Sequence, residues 1–299
     1  MKNTSEDYVF IVSSLKGQLP SLPLVMDELM TIISDPNVAL YAIKDIIKMD
    51  LSIYSQILKV VNTVQYRGEG ESRITSLDDA MQRLGLEKVK RIALNTSVLT
   101  LFSGAEFNNN FSPETLWTHS VGVAVASASL ADFLHFPISD QAYSCGLIHD
   151  IGKLAKLKYD QQNFGEELNK ANELGLSNFH TEMTHQKIRH DLLGAQIANS
   201  WGISPLVEAV ARWHHEEDRS KRTQVEEPDI HKLIDVVQFS NSLIKEIKFG
   251  YSGHSHKEVP SRSIMRRLKI SEEDLDEFKE KLKNELETEK EHISLLNRK

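Results

Sequence analysis

The sequence predicts an all-α protein, a helical bundle in two parts. Three observations carry that prediction. Glycine and proline are sparse, at 14 and 8 of 299 residues. Apolar residues recur at steps of three and four, the spacing that lines one face of a helix. Strand-like alternation is hard to find.

The bulk numbers bound the rest. A chain of 299 residues suffices for two modest domains or one large one, and 40% hydrophobic content supports a real core. The net charge of −8 argues against a dedicated nucleic-acid binder, because phosphate contacts need clustered Lys and Arg. The single cysteine, Cys145, permits no internal disulfide and fits a reducing compartment. Residues Met1 to Asp7 lack the basic-then-apolar plan of a signal peptide. No apolar run approaches the roughly 18 residues that span a bilayer. A cytoplasmic protein with no membrane partner is the expectation. The run of helices divides the chain into residues 1–110, 111–250 and 251–299, and composition shifts from Ser271.

In the first segment, Tyr8, Val9, Ile11, Val12 and Leu15 form a short amphipathic helix. Leu19-Pro20-Ser21-Leu22-Pro23 interrupts it, since proline cannot donate to the helix ladder. Val25, Leu29, Ile32 and Ile33 mark a second helix, and Ser34-Asp35-Pro36-Asn37 a turn. Ile43, Ile46 and Ile47, then Ile53, Ile57, Val60 and Val61, mark two more helices on either side of Asp50. Residues 66–70 read as a loop. Ser76 and Asp79 have capping-box spacing. They open a helix with Ala80, Met81 and Leu84, which Gly85 ends before a last helix with Val89, Ile92, Ala93, Leu94 and Val98. That pair also has the outline of a DNA-binding helix-turn-helix, with Lys88, Lys90 and Arg91 near the second helix start. Three cations are too few, and a packed helical pair is preferred.

In the second segment, Ser112, Pro113 and Glu114 give an N-cap, an N1 proline and a first-turn acid. The helix that follows carries Leu116, Trp117 and His119 into Val121–Leu134. Its Ala, Val and Ser content suits the middle of a bundle. Asp140 to Asp150 is the next helix, with Gly152 placed to close it, and Leu154–Leu157 begins another. Residues 160–180 carry no clear pattern. Met183 to Trp201 reads as one long helix. His180, His185 and His190 cannot share a face of it, because five residues turn a helix by about 500°. His190 fits the inward face with Leu193 and Ile197. Gly202 to Pro205 is a break. Val207, Ala209, Val210 and Trp213 lead to His214-His215-Glu216. Residues 216–230 read as a surface loop. Ile234, Val237, Phe239, Leu243 and Ile244 mark the last core helix, which carries Asn241. In the third segment, His254 and His256 read as solvent-facing. Ser271 and Asp274 open a helix whose Leu275, Phe278, Leu282 and Leu286 form a narrow stripe. Packing against the same domain is preferred for it, with an oligomer contact through 271–299 as the alternative.

The chemistry gathers around His149-Asp150. An imidazole and a carboxylate side by side at a helix end can grip one ion, and Lys153 could meet an anion. His119, His149, Asp150, His190 and the pair His214-His215 lie on four successive helical segments, roughly 24 to 41 residues apart. Antiparallel helices can bring such groups to one bundle core. Imidazoles with one carboxylate suit a divalent Fe, Mn, Zn or Ni ion.

These motifs resemble a known family. His149-Asp150-Ile-Gly-Lys153 is similar to the signature of the HD superfamily of metal-dependent phosphohydrolases. The layout of His119, His149-Asp150, Lys153, His190, His214 and His215 resembles its HD-GYP branch, which hydrolyses cyclic dinucleotides. Leu22-Pro23, the stretch Asp50 to Asn62, Ser76 to Gly85, Glu182 with His190 to Ala195, and Trp213 to His215 resemble the HDOD domain. The resemblance spans about residues 15–250. It implies an all-α bacterial signalling module whose C-terminal half is HD-type and whose relatives mostly lack catalysis. Two departures bear on that. Asn241 stands where catalytic members place a final aspartate. Thr115 stands four residues before His119, where the HD-GYP branch can supply a glutamate. Asp150 is the one anion left at a matched position. Asp191, Glu216 and Asp235 are acids nearby in sequence but at no family position.

Two functions follow. The preferred one is a non-catalytic signalling module, with a pocket that holds a metal, nucleotide or phosphate ligand and an output to a partner protein. The alternative is a metal-dependent phosphohydrolase. There His119, His149, Asp150, His190, His214 and His215 bind one or two ions that activate water against phosphorus, and Asp150 and Lys153 are the catalytic pair, Lys153 neutralising phosphate charge.

Overall fold

The computed structural model describes residues 4–15, 40–67, 72–102 and 111–297. All regular structure among them is helical, as the apolar periodicity requires. Two compact units emerge, each discontinuous in sequence. One comprises residues 1–20 and 102–283, the other residues 21–101 and 284–299. The helix pattern in the sequence expects linear bounds at 110 and 250. The expected break at Leu19–Pro23, the helix with Val25 to Ile33, the turn at Ser34–Asn37 and the loop tip from Gly68 lie outside the described residues.

The smaller unit holds α2 (Leu40–Met49), α3 (Leu51–Val61), α4 (Val64–Arg67), α5 (Leu77–Leu84) and α6 (Leu86–Phe102). Asp50 ends one helix and caps the next, its carboxylate accepting from Ser52 N and Ile53 N. Ile43, Ile47, Ile53, Ile57, Val60, Val61, Ala80 and Val89 then meet in one core. Asn62 acts as a piece of backbone. Its amide donates to Ile74 O at 2.7 Å and accepts from Ile74 N at 2.9 Å. Ser76 caps α5 by accepting from Asp79 N, and Gly85 takes φ +79° where the chain turns into α6. The cations that a helix-turn-helix would need are committed elsewhere. Lys88 pairs with Glu289 at 2.9 Å, and Lys90 is buried against Glu87.

The larger unit begins with α1 (Ser5–Ser14), which buries Tyr8, Ile11 and Val12. Its centre is α7 (Pro113–Phe133), capped by Ser112 with proline at its start and buried along nearly all of its length from Leu116 to Ala131. Around it come α8 (Ser139–Ile148), α9 (Ile151–Tyr159), α10 (Gln161–Leu174), α11 (Asn178–Thr184), α12 (His190–Ser200), α13 (Pro205–Trp213), a 3-10 turn (Arg219–Lys221), α14 (Pro228–Ile247) and α15 (Arg262–Leu268). The small residues of α7 admit close neighbours, as expected. A Cβ on Gly146 would lie 2.9 Å from Ala124 Cα. Against α7 pack α8 and α14, and α12 packs on α9, α13 and α1. The last helix, α16 (Glu272–Asn297), contributes to both units.

Several expectations are corrected. Met183 to Trp201 is two helices, because His185 ends α11 and Gln186 takes φ +51° before α12 begins at His190. Residues 160–180 are helical in α10 and α11. Gly152 does not close α8. It sits in the first turn of α9, where a Cβ would fall 1.9 Å from His190 O. His254 is buried, although His256 is exposed. The loop after His215 buries Arg222 completely against Asp235. The stripe Leu275, Phe278, Leu282 and Leu286 is buried within the chain, with the Phe278 ring against Phe133 and Phe239. An oligomer contact through that stripe loses its surface.

Candidate metal centre

The residues singled out in the sequence converge on one carboxylate. The ligand atoms of Asp150, His190, His214 and His215 lie within 4.8 Å of one another, and those of His119, His149 and Asp150 do likewise. Each comes from a different place. His119 is in the second turn of α7, His149-Asp150 forms the α8–α9 corner, His190 opens α12, and His214-His215 follow α13. Gly152 lets that corner approach α12 at backbone distance.

Local carbonyls orient the rings. His149 Nδ1 donates to Gly146 O at 2.7 Å, and His214 Nδ1 to Ala211 O at 2.9 Å. A carbonyl can only accept, so the proton resides on Nδ1 and each Nε2 lone pair faces Asp150. His190 Nδ1 donates to Glu182 Oε2 at 2.7 Å, which likewise bares its Nε2. That nitrogen is 3.3 Å from Asp150 Oδ1 and 2.9 Å from His215 Nε2. Two imidazole nitrogens so close need a proton or a cation between them. His149 Nε2, Asp150 Oδ1 and His214 Nε2 are all buried and have no protein hydrogen-bond partner. A cluster of bare lone pairs in a dry interior is costly, and a divalent cation is the group that would satisfy it.

The two oxygens of Asp150 face different surroundings. Oδ1 faces His190 and His214, the latter at 3.5 Å. Oδ2 lies 3.3 Å from His149 Nε2 and 2.7 Å from Lys153 Nζ. Lys153 is buried and also donates to Ser252 O at 3.1 Å. Beyond His149, the Asn241 amide engages His119 Nε2 at 3.1 Å. Thr115 is not turned to the pocket's chemistry: its hydroxyl and main chain complete the capping box with Ser112.

Burial drives the titration behaviour. It holds His119 and His215 well below the ordinary imidazole range, helped by neighbouring imidazoles, and it brings His214 down to about 4. These rings are neutral at pH 7, as ligands must be. Burial alone would raise the Asp150 carboxyl, but Lys153 and His149 outweigh it and keep the group ionised. Burial also lowers His190, yet Glu182 and Asp150 reverse the direction and raise it.

Sequence reasoning gave Glu182 no role beyond its family match and passed over Lys156 and Glu167. Lys156 Nζ lies 2.6 Å from both Glu167 and Glu182, and all three are buried. The signal was present in the spacing, since Lys156 follows Lys153 by three residues, on the same face of a helix whose remaining residues are apolar apart from Lys158 and the Tyr159 hydroxyl. The other acids do not join the pocket. Asp191 is bound by Arg189 and Arg212, and Asp235 by Arg219, Arg222 and Arg267. Glu216 Oε1 accepts from Asp218 N.

Comparisons with known proteins agree with this architecture. An HDOD domain protein of unknown function from Geobacter sulfurreducens superposes with a TM-score of 0.72 at 20% identity, covering 99% of each chain. A protein of Marinobacter aquaeolei VT8 assigned to signal transduction gives 0.78 at 16% identity over 98% of this chain and 66% of its own. At such identities the likeness is one of fold. An uncharacterized protein of Treponema pallidum is 23% identical over 265 residues, 85% of this chain. The chain spans only 47% of that relative's length. No described helix is long and apolar enough to cross a membrane. The HDOD domain profile matches residues 19–217, two of whose motifs, Asp50–Asn62 and His190–Ala195, contribute to the small core and to the histidine–aspartate cluster respectively. The chain therefore belongs to the HDOD family.

Proposed function

We infer that this HDOD protein is a signalling module whose HD-type pocket holds one divalent metal ion for structural or regulatory ends, without hydrolytic turnover. The observation that carries this is the pairing of Lys153 with Asp150 Oδ2. The ammonium takes the side of the carboxylate that a second ion would need. His190, His214, His215 and Asp150 Oδ1 remain as a set of three imidazoles and one carboxylate for the first ion. Fe, Mn, Zn and Ni all accept such donors. An ion there would supply Lewis acidity and lock the α8–α9 corner to α12 and α13. Asn241 and Thr115 add no charge, so the loaded pocket carries a net positive charge rather than the carboxylate-rich surroundings of paired ions.

Binding across three segments, the α8–α9 corner, α12 and the end of α13, links occupancy of the pocket to the packing of the bundle. A partner protein that reads this packing would receive the output, in a cytoplasmic setting. The fold likeness to a protein assigned to signal transduction supports that reading.

A phosphohydrolase is the second reading. It is favoured by the completeness of the histidine set and by the second cluster of His119, His149 and Asp150. Phosphodiesters and cyclic dinucleotides are its natural substrates. Elemental analysis of freshly purified protein, followed by assay with both substrate classes, separates the two. One equivalent of metal and no turnover supports the signalling module. Turnover that disappears in His149→Ala overturns it in favour of the hydrolase.

A further inference from the structure

A cleft of about 600 Å³ opens beside His119, lined by the turn that follows α14. Apart from His119, the residues that line it lie beyond residues 19–217, the stretch shared with the family. The turn is docked firmly. Gly250 takes φ +71°, and a Cβ there would fall 2.2 Å from His119 N. Tyr251 N donates to Thr115 O at 2.9 Å. The cleft is thus a built feature at one end of α7 rather than a gap under a loose loop.

Its charges and donors point one way. Of its acids, Glu258 pairs with Lys245 at 2.8 Å and Glu246 with Lys279 at 2.9 Å. Lys248 and Lys257 are exposed at the rim and form no ion pair among the described residues. The floor holds His254 and Ser252, only 6% and 3% exposed. His254 Nδ1 and Ser252 Oγ are both buried without a hydrogen-bond partner. Burial keeps the His254 ring uncharged, and the cations Lys245 and Lys153 reinforce this. Glu258 Oε1 lies 3.6 Å from the other ring nitrogen, Nε2, beyond hydrogen-bond reach, so the neutral His254 ring is open to donate to an anion as its Nδ1–H tautomer, while the Ser252 hydroxyl donates freely beneath the cationic rim. The volume is that of a small-molecule site.

We propose that this cleft binds the phosphate group of a small phosphorylated ligand, with Lys248 and Lys257 supplying charge and Ser252 and His254 supplying hydrogen bonds. Phosphate suits it because several acceptor oxygens and a double negative charge meet both kinds of group at once. The site does not require a metal at Asp150. It sits one residue from the pocket through His119, and Ser252 O anchors Lys153, so an occupant would be sensed by the Lys153–Asp150 pair.

The test is calorimetric titration of the full chain with inorganic pyrophosphate at low ionic strength. The double variant Lys248→Asn with Lys257→Ala removes the rim charge; asparagine is chosen because residue 248 sits at φ +61°. Pyrophosphate binding should weaken about 100-fold, at tenfold for each charge-assisted contact. Lys257→Arg should restore most of the affinity lost at that position. Metal content should be unchanged in the double variant. Conversely His190→Ala, or His214→Ala should the first not fold, should lose metal and keep pyrophosphate affinity. The proposal is overturned if the wild-type chain shows no saturable binding, or if the double variant binds as tightly as wild type. It is also overturned if affinity disappears with the histidine variant alone, since the anion would then reside on the metal.

Discussion

Glu182 holds His190 twice, accepting from its main-chain N at 3.1 Å and from its ring Nδ1 at 2.7 Å with the same oxygen. Its other oxygen accepts from Lys156 at 2.6 Å. The carboxylate thereby sets both where α12 starts and which nitrogen of His190 faces Asp150. Replacing it with an amide of equal size keeps the shape and removes the charge that favours Nδ1–H. Glu182→Gln should lower metal affinity by about 10- to 100-fold, the usual cost of removing a ligand's supporting carboxylate. Competition with a chromogenic chelator measures this. Unchanged affinity would mean that His190 is not a ligand.

The two faces of Asp150 make a differential prediction. His214→Ala and His190→Ala should each abolish stoichiometric metal, whereas His119→Ala should retain it. Elemental analysis of the three variants decides. Loss in all three would require a centre that draws on both histidine clusters.

Asn241 lies 3.1 Å from His119 Nε2, where an added negative charge would face the His119 ring, itself beside His149. Asn241→Asp should therefore raise the metal content from one equivalent toward two. If phosphodiester turnover also appears, the missing carboxylate is what silenced the site.

Gly152 has no room for a methyl group, since its Cβ would meet His190 O at 1.9 Å. Backbone cannot yield as a side chain tip can. Gly152→Ala should cost about 3 kcal/mol of stability, the upper end of overpacking, and lower metal occupancy with it. Chemical denaturation with and without added metal measures both effects.

In the smaller unit, Glu289 is buried against His292 and Lys88. Burial alone would raise its carboxyl, but the His292 hydrogen bond and Lys88 outweigh it and bring it from 4.5 down to about 2. The unfolded chain then takes up this proton first. The stabilisation is complete above pH 4.5 and is lost as pH falls from there toward 2. Glu289→Gln should flatten the acid limb of a stability–pH curve without altering metal content, because His292 and Lys88 belong to the same small unit.

Much of this architecture was legible in the residues. Apolar periodicity located the helices, and the capping residues Ser76 and Ser112 fixed their starts because a side-chain acceptor at an N-cap is a local matter. The histidines could be grouped because their wide spacing matches successive helices. What escaped depended on tertiary contact. The break before His190 is invisible to periodicity, since Gln186 carries no turn signature and its φ of +51° is tied to a main-chain turn that Lys187 N closes onto Glu182 O at 2.9 Å. The burial of His254 follows from a turn pressed onto α7, which no local pattern announces. The role of Gly152 was misread for the same reason: its neighbour is His190, 38 positions away in sequence.

The hydrogen bond from Arg189 N to Tyr8 OH, at 3.1 Å, joins positions 181 residues apart. During synthesis the first helix emerges long before its docking site exists. It must wait, with Tyr8, Ile11 and Val12 unburied, until α12 follows. Closing so long a loop is slow compared with forming any helix. The growing chain thus exposes this apolar stripe to solvent while the 181 positions that separate Tyr8 from Arg189 are added.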